Sequence, residues 1–356
     1  MRRCQGNQLQ INPEQEDGIV PCANLVIPKG YRTPLNIMQT EIAIKVIKDT
    51  FERDLARFLN LVRVSAPLFV QPDSGLNDNL NGVERPVQFD IKDMNVEVQI
   101  IHSLAKWKRL ALYRYGFQQE HGLYTDMNAI RRDEILDNLH SVYVDQWDWE
   151  RTLIREERNP DYLKSVVEKI VSALCDTERK LHQQFPQVQP FLESKVHFLT
   201  TQELEDLYPD LAPNKRENKI CEQYGTVFLM QIGGLLKSGV KHDGRAPDYD
   251  DWDLNGDLLV WNPVLERAFE ISSMGIRVDA EALERQLTIS GCEDRKSLPF
   301  HKMLLNNELP LTIGGGIGQS RICMLMLRKA HIGEVQASVW PRQMIEECEA
   351  AGIHLL

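Results

Sequence analysis

No run of the sequence approaches the ~20 consecutive apolar residues that a membrane-spanning helix needs, so no membrane partner is expected. The opening Met1-Arg2-Arg3-Cys4 leads into Gln and Asn instead of the apolar core of a signal peptide, which points to a soluble, unsecreted, cytoplasmic protein. Cysteine is sparse and badly spaced for structural chemistry. The seven, at positions 4, 22, 175, 221, 292, 323 and 348, form no C-x-x-C pair and have no histidine partner at zinc spacing. An odd, scattered set reads as reduced thiols, most of them small buried hydrophobes. Positive charge is in deficit: 41 Lys and Arg stand against 52 Asp and Glu, a net charge of −11. Each approach to a polyanion therefore starts with repulsion, so no nucleic-acid partner is expected and only a local basic pocket is left open. Internal repeats and low-complexity tracts are also missing.

What is present is a chain of 356 residues, 42% hydrophobic and 26% charged, enough apolar material for a large core. Length alone suggests two domains or one large unit with insertions. Residues 1–33 carry Gln, Asn, Pro and Gly without periodicity and read as an irregular extension, leaving 34–356 as a single catalytic domain. Within it, Ile42, Val46, Ile47, Phe51, Leu55, Phe58 and Leu59 recur at helical steps. Helical stretches also read at 104–115 and at 162–185, where Leu163, Val167, Ile170, Leu174 and Leu181 form one face. Strands read at 61–64 and 68–70 around Pro67, and at 87–90, 95–101, 141–149, 196–199, 226–232, 257–261 and 269–274. The fold class is α+β, of the two-layer α/β type, with a mainly antiparallel central sheet flanked by helices.

Five segments carry candidate chemistry. Gly314-Gly315-Gly316-Ile317-Gly318-Gln319-Ser320-Arg321 leads from an apolar start into a helix, with Arg321 in its first turn. Such backbone suits an anion or nucleotide, although the spacing fits neither a dinucleotide fingerprint nor a Walker loop, and a plain glycine turn with a solvated Arg is the alternative. Asp248-Tyr249-Asp250-Asp251-Trp252-Asp253, with Asp257 and Glu270 on the strands that follow, could hold Mg²⁺ or an ammonium group, or form a solvated acidic loop. In residues 141–150, Tyr143, Asp145, Trp147 and Trp149 share one strand face, while Gln146, Asp148 and Glu150 share the other and suit a polar ligand floor. Arg131, ending a strand, is either a phosphate clamp or a surface pair with Arg132. In residues 102–109, Ser103 caps a helix whose first turns crowd Lys106, Lys108 and Arg109, where a nearby anion would relieve them. The Asn77-Asp78-Asn79-Leu80-Asn81-Gly82 stretch is turn chemistry by composition.

The order of these pieces resembles the catalytic core of class II aminoacyl-tRNA synthetases: a helix and strand closing on Pro67, Arg131 followed by a loop and strand, and Gly316 to Arg321. More specifically, residues 102–109, 140–150, 245–252, 255–270, 272–279 and 314–321 resemble the asparagine synthetase A family of ammonia-dependent aspartate ligases. That resemblance implies ATP and Mg²⁺ as cofactors and a β-aspartyl adenylate captured by ammonia, with AMP and pyrophosphate released. By match, ATP falls to Arg131, Glu270, Gly316, Gly318 and Arg321, with Glu270 and Asp257 as metal ligands. Aspartate falls to Ser103, Lys108, Gln146, Asp148, Asp250, Ser273 and Arg277, where Lys108 and Arg277 would meet carboxylates and Asp148 or Asp250 the α-ammonium. The catalytic set is Asp78, Arg131, Gln146 and Arg321, with Asp78 binding and deprotonating ammonium. A homodimer built on the first helix and the Pro67 strand is implied as well. An aminoacylating paralogue acting on tRNA or protein, and a silent regulatory homologue, are the competing readings.

Overall fold

The computed structural model describes residues 24–78 and 84–356. Most of the amino-terminal extension, with Cys4 and Cys22, and the turn residues 79–83 lie outside the described residues. Helix α1 (Ile37–Leu59) starts at a capping box in which Asn36 accepts from the Gln39 amide, and stops where Asn60 turns left-handed at φ 56°. Its buried stripe is Ala43, Ile47, Phe51, Leu55 and Leu59. Ile42 was expected on that stripe but faces outward, 53% exposed, beside exposed Ile37 and Met38.

After β1 (Leu61–Arg63) come β2 (Phe69–Val70), β3 (Gln88–Ile91) and β4 (Val96–Ile100), which pair as a small separate antiparallel sheet in the order β2-β4-β3. Then follow α2 (Ala105–Arg114), β5 (Gly122–Ile130), β6 (Tyr143–Thr152) and α3 (Pro160–Gln184), which opens on the Asn159 cap with Pro160 in the first turn. Next are β7 (His197–Thr200), α4 (Thr201–Leu207), α5 (Pro213–Tyr224), β8 (Thr226–Met230), β9 (Asp250–Asn262) and β10 (Arg267–Arg277). The chain ends through α6 (Ala280–Ile289), α7 (Pro299–Leu305), β11 (Thr312–Gly318), α8 (Gln319–Met326) and α9 (Arg342–Ala350).

Among the described residues the main sheet has eight strands in the order β1-β5-β6-β11-β10-β9-β8-β7. Its five inner pairings are antiparallel and only the two edge pairings, β1 with β5 and β7 with β8, are parallel. One face packs on α1, α3 and α8, where Trp147 and Trp149 of β6 are fully buried and the Phe51 ring lies 4.9 Å from that of Trp147. The other face of β6 is polar. Helix α2 lies across it, and its outer side joins α6 and α7 in a second apolar cluster of Leu110, Leu283, Leu287, Phe300 and Leu304.

Two segments differ from their sequence reading. The glycine run, read as backbone suited to an anion or nucleotide with a plain turn as the alternative, is strand β11 leading into α8, and its glycines keep extended backbone. The reason is crowding: a Cβ on Gly314 would sit 2.6 Å from Glu150 Cδ, and one on Gly316 would sit 2.8 Å from Asp148 Oδ1. The acidic cluster from Asp250 onward is likewise the start of β9, because pairing with β10 satisfies its backbone. A third glycine, Gly256, faces the Phe228 ring of β8, which a Cβ would meet at 2.8 Å. Gly256→Ala should therefore cost about 1–3 kcal/mol or more, read as a lower urea midpoint at unchanged m; an unchanged midpoint would contradict the crowding.

Candidate active site

The polar face of β6 and the carboxyl-terminal half of β11 open onto a cavity of about 680 Å³. Arg131 reaches it from just beyond β5, where its backbone amide donates to Val142 at 2.8 Å and so continues the strand ladder. Its side chain is held loosely, with Nη1 3.8 Å from Glu134, and its Nε is buried without a hydrogen-bond partner. Arg321 reaches the same cavity from the first turn of α8; its Nη1 donates to the Glu270 carbonyl at 3.0 Å and lies 3.6 Å from the Glu270 carboxylate. Two guanidinium groups 190 positions apart thus border one concavity. Gln146, Ser273, Gly316 and Gly318 also border it.

Arg245, which sequence reasoning left without a role, adds its guanidinium to a wall that already includes Arg131, Arg132 and Arg321. Its Nη2 pairs with Asp257, and its Nη1 lies 3.2 Å from Asp243. Burial, with Glu270 adding to it, pushes the Asp257 carboxyl up to about 7 against the pull of Arg245. Glu270 stands on the cavity wall with 43% of its side chain exposed; partial desolvation opposes its charge, but Arg321, Arg245 and Arg131 outweigh that and hold it below the ordinary value. Asp257 itself does not border the cavity: it stands behind Arg245, with Oδ1 buried and unpartnered. Among the described residues, no three His, Cys, Asp or Glu side chains group as a metal site.

Beneath the floor lies a buried ion network. Arg277 from β10 donates to Glu150 through Nε at 3.0 Å and Nη2 at 2.8 Å, and its Nη1 pairs with Asp250. Lys108 from α2 lies 3.2 Å from Asp148, 3.9 Å from Glu150, and donates to the Gly315 carbonyl at 2.9 Å. The anions that relieve the crowded cations of α2 are therefore the protein's own, Lys106 pairing with Asp248 at 3.1 Å. Burial pulls the Lys108 ammonium below its ordinary value, while Arg277 and Lys108 hold Glu150 down despite its burial. Lys108, Asp148, Asp250 and Arg277 belong to this layer and do not border the cavity. Nor do Ser103 and Asp78. The α2 cap falls on Leu104, and the Ser103 hydroxyl accepts instead from the Ala105 amide at 3.1 Å. Asp78 is buried at the cavity's side, its carbonyl 3.2 Å from His102 Nδ1.

A family model described as AsnA, aspartate–ammonia ligase, matches residues 38–352. The chain belongs to the aspartate–ammonia ligase family. It is 63% identical over 333 residues to the aspartate–ammonia ligase of Clostridium tetani, covering 93% of this chain and 98% of that one. The aspartate–ammonia ligase of Ruminiclostridium cellulolyticum is 60% identical over 334 residues, covering 94% and 99%. Among solved structures, asparaginyl-tRNA synthetase from Pyrococcus horikoshii with asparaginyl-adenylate superimposes at TM-score 0.62 and 14% identity, over 85% of this chain and 70% of that one. Its Entamoeba histolytica counterpart gives 0.61 and 14%, over 84% and 66%. This family member thus has the class II synthetase fold expected from the sequence.

The two layers respond differently to truncation. Arg277→Met leaves two buried carboxylates facing one another and should cost about 3–5 kcal/mol in the ligand-free protein. Arg321→Met removes a partly exposed pair and should cost no more than about 1 kcal/mol. Equal urea midpoints for the two variants would refute the layered arrangement.

Proposed function

We propose that the protein makes L-asparagine from L-aspartate, ATP and ammonia through a β-aspartyl adenylate, releasing AMP and pyrophosphate. The observation that carries this is the convergence of Arg131 and Arg321 on one cavity above the Gln146 and Ser273 floor. Attack of a side-chain carboxylate on the α-phosphate brings two anions together, so the site must supply fixed positive charge where negative charge accumulates. Arg131 holds the α-phosphate with an Nε that has no competing protein acceptor, and Arg321 holds the far end of ATP. Gly316 and Gly318 keep the floor low enough for the nucleotide to lie against the backbone.

Mg²⁺ fits a pair of carboxylates better than a protein cage, since it keeps waters and shares phosphate oxygens. Glu270 on the cavity wall would hold it directly, with Asp257 one layer behind, off the cavity and paired with Arg245. When bound it screens phosphate charge. Aspartate lies over Gln146 and Ser273, which border the cavity, with Ser103, Asp148 and Asp250 in the layer beneath them and Gln146 orienting the acyl phosphate. Lys108 and Arg277, already paired with protein carboxylates, act from below by fixing Asp148 and Asp250 as acceptors for the α-ammonium. Asp78 binds the incoming ammonium at the cavity's side.

The catalytic unit runs from 34 to 356 and works in the cytoplasm as a homodimer. The reason for the dimer is the exposed apolar residues Ile37, Met38 and Ile42 at the start of α1 and Val62, Leu68 and Phe69 around Pro67. Incubation with ATP, Mg²⁺, aspartate and ammonium should yield AMP and asparagine in equal amounts. ADP in place of AMP, or label transferred to bulk tRNA, would exclude the reading. Asp78→Ala should spare aspartate-dependent pyrophosphate exchange and lower amide formation about 100-fold; equal loss of both contradicts its role. Arg321→Ala should raise the KM for ATP at least tenfold, about 1.4 kcal/mol of lost binding, with the KM for ammonium unchanged.

A further inference from the structure

We propose that His102 is a catalytic residue of the amide-forming step, its Nε2 taking the proton that ammonium must lose before it can attack; this rests on the ligase reading above. His102 is 1% exposed and borders the cavity together with Glu84 and Arg131. Its Nδ1 lies 3.2 Å from the Asp78 carbonyl oxygen. A carbonyl can only accept, so Nδ1 carries the hydrogen, and in the neutral ring Nε2 is left as a bare lone pair. That nitrogen is buried and has no hydrogen-bond partner among the described residues. The ring stays neutral because burial, helped by the Arg131 charge, pulls it below its ordinary value.

The ring is also held in place. Asn77 Oδ1 accepts from the backbone amides of both Asp78 and His102 at 2.9 Å, and its Nδ2 donates to Gln99 at 3.1 Å. One side chain thereby locks the Asp78 turn to the segment that presents His102. Three other buried histidines, His242, His301 and His331, also leave a ring nitrogen without a partner, but none of them borders the cavity. An acceptor held bare beside a substrate cavity costs free energy in the empty protein, and an incoming N–H donor recovers it.

The step balances as follows. An N–H bond of ammonium breaks, its electrons stay on nitrogen, and the proton forms the Nε2–H bond of an imidazolium. The ammonia lone pair forms the C–N bond at the aspartyl side-chain carbonyl carbon, and the C–O bond to AMP breaks with its electrons on the departing phosphate. The new amide nitrogen sheds its remaining extra proton to solvent, as the imidazolium later does.

H102N tests this, because its amide can still donate to the Asp78 carbonyl while nothing stands at the Nε2 position. Three rates are compared with wild type: aspartate-dependent pyrophosphate exchange, asparagine formation from ammonium, and hydroxamate formation from hydroxylamine, an amine already uncharged at neutral pH. The ammonium rate should fall about 100-fold or more while exchange and hydroxamate formation stay within about threefold. H102Q, whose amide reaches the Nε2 position but cannot take a proton, should match that loss. Full activity with ammonium in either variant, or equal loss of all three rates, overturns the proposal. A wild-type protein that releases no AMP overturns the ligase reading itself.

Discussion

The bidentate hold of Arg277 on Glu150, with Asp250 on its other side and Lys108 on Asp148, is the constraint around which the rest of the site is arranged. Moving such ions out of water costs several kcal/mol each, recovered only when every charge meets an opposite one at short range. The network therefore dictates its surroundings. Strand β11 has to be bare at Gly314 and Gly316, where it passes the Glu150 and Asp148 carboxylates, while Gly315 between them is crowded by Met274 on the other face of the sheet. Helix α2 has to lie across the polar face of β6, because only there can Lys108 reach both carboxylates. Arg109, buried next to it, spends its donors on the Pro310 and Val278 carbonyls and so ties α2 to the segments flanking β10 and β11.

The outcome is a site with two electrical layers. The paired carboxylates Glu150, Asp148 and Asp250 lie below the floor with their cations, and the guanidinium groups of Arg131, Arg245 and Arg321 border the cavity above it beside Glu270 and Asp243. A chain with a net charge of −11 repels polyanions at long range. At short range the guanidinium groups of Arg321, Arg245 and Arg131 supply local positive charge beside Glu270 and hold its pKa below the ordinary value. Cations that face only the protein build the floor, while cations with unspent donors face the ligand. Arg131, with its bare Nε, belongs to the second kind.

The first layer was partly legible in the sequence. Period-2 alternation in residues 141–150 separated Trp147 and Trp149 from Gln146, Asp148 and Glu150, and the structure keeps that division. The α1 stripe was legible from Ile47 to Leu59 but not at Ile42, since an apolar residue on the edge of a stripe can turn toward either side. The glycine run was ambiguous in principle. Glycine marks a turn as readily as a close approach, and the neighbours that decide between them, Glu150 and Met274, arrive from distant parts of the chain. Arg245 and His102 gave no local signal at all: an arginine after a glycine and a histidine before a serine look like surface residues until their partners are known.

Composition and pattern by themselves pointed to the class of fold and to which residue types face the sheet's two sides, because burial follows from periodicity. Only the tertiary structure decided which cations are spent and which are free. Lys108 and Arg277 read as carboxylate binders and turned out to be paired, while Arg131 and Arg321, 190 positions apart, turned out to share a cavity. Pairing depends on distances across strands whose order, β6-β11-β10-β9, runs out of sequence order, and no local pattern encodes that.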